Sequence, residues 1–178
     1  MDSINKQQPE DNYKNLFGDE ALEKIKSLAG KATSCFFCTK IKTGESFSSR
    51  PMAPELIDDA GNFWFLSAND SYKNKELDED SAVQLLFQGS DYSDYLSIYG
   101  RAVISTDKNK IDELWDPMMK TWFTEGKDDP RITVIQVIPT EGYYWDTKHN
   151  ILIAFAKRTY GAIVGKTIDD SIEGKIVI

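Results

Sequence analysis

Between Ala32 and Asp146 the chain contains six runs rich in β-forming residues: 32–41, 46–57, 63–67, 81–88, 95–105 and 132–146. Most are separated by turns too short for the crossover helix that parallel neighbours need, so consecutive strands must pair antiparallel. The turn "IDDAGN" is the clearest hairpin signal, returning "FWFLS" beside the run before it. A last short strand is expected in "EGKIVI". Strands this contiguous curl into a barrel or a strongly coiled sheet.

Helices are inserted between the strands. "GDEALEKIKSLAGKA" places Leu22, Ile25, Leu28 and Ala29 on one stripe, with Asp19 as expected cap and Gly30 at its end. "DSYKNKELDED" opens at a cap, Asp70 or Ser71. In "TDKNKIDELWDPMMKTWF", Ile111, Leu114, Trp115, Met118, Met119 and Trp122 share a face, and Pro117 breaks the helix and restarts it. The long run 132–146 is expected to be interrupted at Pro139. "KHNILIAFAKRTYGAIVGK" reads as a helix. The fold class is therefore α+β, mainly β: a six-stranded antiparallel split β-barrel with flanking helices. Residues 1–16 are polar and read as a flexible N-terminal tail, and residues 17–178 as one domain.

A net charge of -8 argues against nucleic acid or an anionic membrane surface as partner. No apolar run reaches the roughly 20 residues of a membrane span, and the N-terminus lacks a signal-peptide layout, which predicts a cytoplasmic protein. Cys35 and Cys38 are spaced C-x-x-C, but on a strand they face opposite sides, and the single histidine, His149, completes no zinc set. They are read as buried, inert thiols. "YGAIVGKT" has three residues between its glycines where a phosphate loop needs four.

Against that acidic background "SSRPMAPELIDDAGNFWFLSANDSYK" carries a cation at each end. The hairpin brings Arg50 toward the loop after Ser67, gathering Arg50, Ser67, Ser71, Tyr72, Lys73 and Lys75 beside a helix N-terminus. Cations, hydroxyls and N-terminal amides suit a phosphate monoester. Pro51, Met52 and Ala53 leave backbone groups free for a planar heterocycle, and Trp64, Trp145, Tyr143 and Tyr144 offer aromatic surface. A flavin fits the combination, whereas exposed charges flanking a hairpin explain the cations alone.

"SRPM", "FWFLSANDSYKNKEL", "VQLLFQ", "YGRAVI", "ELWDPMMKTWF", "DDPRITVIQVIP" and "EGYYWD", in this order, resemble the pyridoxamine phosphate oxidase-like, FMN-binding split-barrel family, in its general stress protein branch. The resemblance spans about residues 18–165 and implies a homodimer with FMN between the subunits. Arg50, Pro51, Met52 and Ala53 match the strand lining the flavin, and Leu66 and Ser67 a contacting pair on the next. Tyr72 and Lys73 match the phosphate-holding dipeptide, with Tyr72 replacing one of two usual cations. Tyr95 matches a contact from the other subunit, and Trp145 a tryptophan closing over the cofactor. The arginine and histidine cluster of the authentic oxidases does not follow Trp145, where the chain reads "DTKHN". The resemblance thus implies a flavin-dependent oxidoreductase of unidentified substrate, not the vitamin B6 enzyme. Alternatives are a non-catalytic flavin-binding stress protein, and FAD in place of FMN.

Overall fold

The computed structural model describes residues 12–42, 44, 46–91, 93–148 and 170–178. Apart from Lys148, the expected helix over 148–166 lies outside them, as do His149, the "YGAIVGKT" stretch and residues 1–11. Elements follow in the order β1 (Leu16–Phe17), α1 (Gly18–Ala32), β2 (Cys35–Thr39), β3 (Ser48–Met52), β4 (Leu56–Ile57), β5 (Phe63–Ala68), α2 (Tyr72–Glu79), β6 (Ala82–Gln88), β7 (Tyr95–Ser105), α3 (Lys108–Leu114), β8 (Ile132–Thr147) and β9 (Ser171–Val177). Short 3-10 turns at Pro117–Thr121 and Gly126–Asp128 connect α3 to β8. Among the described residues no helix is long and apolar enough to cross a membrane.

The strands form one sheet in the order β1-β9-β8-β7-β6-β2-β3, with β5 on β8 and β4 on β5. The barrel is split rather than closed. All expected strands are present, two-residue β1 is added to them, and the expected run 46–57 is divided into β3 and β4. Leu16 and Phe17 run parallel to Ile176 and Val177, which makes the sheet mixed. Residues 12–16, assigned to the tail on polarity, are thus partly built into the sheet: Leu16 is buried and Lys14 N–H donates to Glu173 O.

Strand β8 organises the molecule. Its first half pairs β5, from Phe63↔Val137 to Ala68↔Ile132, and its second half pairs β9. β7 follows it along nearly the whole length. β8 runs through Pro139 without ending, but its pairing with β7 is irregular there. Gly100 pairs with Pro139 and Tyr99 with Glu141, which leaves Thr140 as the extra residue of a bulge on β8, a place where a proline without an N–H is tolerated.

Side-chain alternation sends β5 and β8 into two cores. Phe63, Phe65, Ile135 and Val137 join Phe37, Leu85, Phe87 and Ile98 in the main core, covered by Ile25, Leu28 and Ala29 of α1. Phe37 meets Phe65 edge-on at 5.2 Å between centroids, and Phe63 stacks on Phe87 at 5.4 Å. Leu66, Ile132 and Val134 face the other way, onto Ile111, Leu114 and Phe123.

Two local expectations need correction. α1 begins at Gly18 with Phe17 as a cap that makes no side-chain bond. Asp19 sits in the first turn, and the helix runs past Gly30 to a left-handed Thr33. The face predicted after Thr106 holds in part: Ile111, Leu114, Trp115 and Met119 pack on one core, the chain breaks before Pro117, as expected, and the 3-10 winding leaves Met118 76% and Trp122 64% exposed. Three residues per turn instead of 3.6 rotates the later positions off the α-helical stripe.

Candidate functional site

The run 46–57 is two strands. Pro54 separates β3, which pairs β2, from β4, which pairs β5. The turn beyond is held by Asp58, whose carboxylate accepts from Ala60 N, Asn62 N, Asn62 Nδ2 and Trp64 Nε1 at 2.9–3.0 Å. The divergence of β3 from β5 opens a cleft of about 470 Å³, within the range of small-molecule sites. One wall is Pro51, Met52, Ala53 and Glu55, and the other Leu66, Ser67, Ala68, Ser71 and Lys73. Met119, Trp122 and Phe123 border it from the 3-10 segment.

Helix α2 sorts the candidate polar residues. Its buried face carries Asn74 and Leu77, with Lys73 and Glu76 half-buried beside them, whereas Lys75 is exposed and Tyr72 is 82% exposed. Lys75 Nζ instead lies 5.6 Å from the Tyr72 ring centroid. Ser71 caps the helix, its Oγ accepting from Asn74 N at 3.3 Å. Asn74, which sequence reasoning missed, is 3% exposed and is the hub of a buried network. Its Oδ1 accepts from Ser67 Oγ at 2.6 Å and Ser71 Oγ at 3.1 Å, and its Nδ2 donates to Thr133 Oγ1 at 2.9 Å. Each hydroxyl has one proton, so both serines act as donors within the protein here.

Arg50 does not line the cleft. Its Nη1 donates to Thr39 Oγ1 at 2.9 Å and its Nη2 to Glu76 Oε2 at 2.6 Å. Glu76 also accepts from Thr39 and Ser48. Glu76 was the second residue missed; its spacing from Lys73, one turn along the same helix face, was the available signal. Lys73 alone, among the described residues lining the cleft, is a cation, and it has no hydrogen-bond or ion-pair partner there. Burial, followed by the charge of Arg50, holds its ammonium below the usual lysine range. The first-turn amides of Tyr72 and Lys73 have no intrahelical acceptor.

Tyr95 and Trp145 are cross-strand partners and border a separate cleft with Ser93, Asp146 and Ser171. Trp145 stacks obliquely on Tyr143 at 4.6 Å. Thr133, opposite Ser67, lies twelve residues before Trp145 on β8, roughly 40 Å of strand contour. The other expected aromatic surface is also elsewhere. Trp64 packs under Lys110, and Tyr144 is buried with its hydroxyl donating to Lys14 O at 2.8 Å. Trp122 and Phe123 take that place in the main cleft. Among the described residues no group of three His, Cys, Asp or Glu side chains could hold a metal ion.

The fold and cleft define a split-barrel protein with an open cleft between diverging strands. The sequence pattern of the family described as pyridoxamine 5'-phosphate oxidase like matches residues 20–169, and the chain belongs to that family. It is 32% identical over 174 residues to the protein bli-3 of Neurospora crassa, covering 89% of this chain and 83% of that one. It is 24% identical over 78 residues to general stress protein 26 of Bacillus subtilis, covering 42% of this chain and 55% of that one. Among solved structures, a candidate general stress protein 26 from Jannaschia sp. CCS1 superposes with a TM-score of 0.73 at 21% identity, over 88% of this chain and 97% of that one. The general stress FMN/FAD binding protein of Xanthomonas citri gives 0.54 at 23% identity, over 67% and 82%. At these identities the superpositions establish the fold alone.

Proposed function

We propose that the protein binds FMN in the β3–β5 cleft as a homodimer and works as a flavin-dependent oxidoreductase connected with stress. The observation that carries this reading is Lys73: a half-buried ammonium without a partner among the described residues, on the wall of a cleft in a chain of net charge -8. Such a group gains most from an anion, and the free amides at the start of α2 point the same way. The donor set fits a phosphate monoester, with Arg50 adding field from behind Lys73 rather than a direct grip. Ser67 and Ser71 would join by turning their protons from Asn74 toward the phosphate. Pro51, Met52, Ala53 and Leu66 would hold the ring, and Tyr95 and Trp145 of a second copy would close it, because the two clusters of one chain border separate clefts. When bound, the flavin supplies reversible electron transfer. The chain's part is to anchor, orient and shield. The Xanthomonas citri relative, named for FMN/FAD binding, supports the cofactor class.

A non-catalytic flavin carrier is favoured by one observation: among the described residues, no histidine, cysteine or tyrosine lines the cleft. Titrating the purified protein with FMN and with FAD, read by flavin fluorescence and blue absorbance, tests the binding. Saturable quenching is expected, and unchanged fluorescence with both overturns it. Stopped-flow reduction by NADH or NADPH then separates enzyme from carrier.

A further inference from the structure

The cleft has a second pole. Glu55 lines it opposite the phosphate end and, like Lys73, has no side-chain hydrogen bond or ion pair among the described residues. The two do not pair with each other. Burial, and then the Asp116 carboxylate, raise the Glu55 carboxyl above the usual range, while Lys73 is shifted down. Both charges are disfavoured in the cleft by itself, so a ligand with an anion at one end and an N–H donor at the other relieves both. The spacing is set by β5. Glu55 N–H donates to Trp64 O at 2.8 Å, which fixes it at the level of Trp64, and Ser67 lies three residues further along. That is roughly 10 Å at about 3.3 Å per residue, the scale of one ring plus a short linker. Between the poles Leu66 and Trp122 offer apolar surface to a flat body.

Resting on the flavin reading above, we propose that Glu55 reads the ring end of the bound flavin by accepting a hydrogen bond from a ring N–H. Lys73 then recognises the phosphate and Glu55 the heterocycle, so the two residues have separable ligand dependence.

The test uses the full chain with two probes, FMN and riboflavin, the second lacking phosphate. Glu55→Leu is expected to weaken both by the same factor, about tenfold or more, as loss of a bond to a charged acceptor requires. Glu55→Gln, which keeps an acceptor oxygen, is expected to stay within about threefold of the parent. Lys73→Ala is expected to weaken FMN alone. If Glu55→Leu melts below the titration temperature, Glu55→Asp, which withdraws the carboxylate by one methylene, carries the same prediction. FMN binding that is indifferent to Glu55 variants but sensitive to Lys73→Ala overturns the inference and leaves the flavin reading standing. A parent protein that binds neither probe overturns both.

Discussion

Arg50 on β3 and Glu76 on α2 are locked together, Nη2 to Oε2 at 2.6 Å, with Thr39 bonded to both. Their side chains are only 24% and 14% exposed, so the pair is little screened. It pins α2 against the edge strand and leaves the neighbouring Lys73 as the uncommitted charge. A cycle of Arg50→Ala, Glu76→Ala and the double variant in urea is therefore expected to give a coupling of about 1–2 kcal/mol. Additive effects would show that the pair is structural decoration.

Lys73→Ala is expected to leave the urea midpoint nearly unchanged or slightly higher, since a half-buried charge with no partner among the described residues is removed. It should weaken FMN by about 1.5–3 kcal/mol, the range for a charge-assisted contact. Arg50→Ala should show the reverse pattern, with more stability lost than affinity. Equal affinity losses would mean that the guanidinium leaves Glu76 when ligand arrives.

Burial by itself would raise the Glu76 carboxyl, but hydrogen bonds from Thr39, Ser48 and Arg50, together with the Arg50 charge, outweigh it and hold it below 4.5. A carboxyl lowered on folding stabilises the protein above its unfolded value and loses that stabilisation as pH falls through the folded value. The urea midpoints of the parent and Glu76→Gln should differ most near pH 7. They should converge as the pH drops below 4.5. A gap constant down to pH 3 would refute the assignment.

Cys35 and Cys38 are buried and free, and burial, then Cys38, push the Cys35 thiol up to about 12. Native protein at pH 8 should resist iodoacetamide, and both cysteines should label once guanidinium unfolds the chain, because the thiolate is the reactive form. Rapid native labelling would point to opening of β2.

Gly100 lies on β7 opposite the β8 bulge, where a methyl group would meet Ile138 O at 2.5 Å. Gly100→Ala is expected to cost about 1–3 kcal/mol by overpacking, read as a lowered urea midpoint. A neutral result would mean that β7 and β8 slide apart there at little cost.

Local chemistry made much of this architecture legible. The strand runs, the Ser71 cap and the Pro117 break follow from rules acting within a few residues. Seven candidates, Pro51, Met52, Ala53, Leu66, Ser67, Ser71 and Lys73, do converge on one cleft. What sequence could not supply was pairing at a distance. Nothing near Arg50 announces Glu76 as its counter-charge, and nothing near Ser67 announces Asn74 as the acceptor of its proton. Tyr72 was grouped with Lys73 by adjacency, yet neighbours on a helix point about 100° apart, and Tyr72 turned to solvent. Pro139 looked like a break because its partner, Gly100, lies on another strand.

Ser67 and Trp145 address opposite ends of β8. A ligand enclosed by both residue clusters must be shared by two molecules, so its retention becomes a matter of mass action. Such a protein would lose its cargo on dilution even with every side chain intact, and cellular abundance itself would set how much of it is charged.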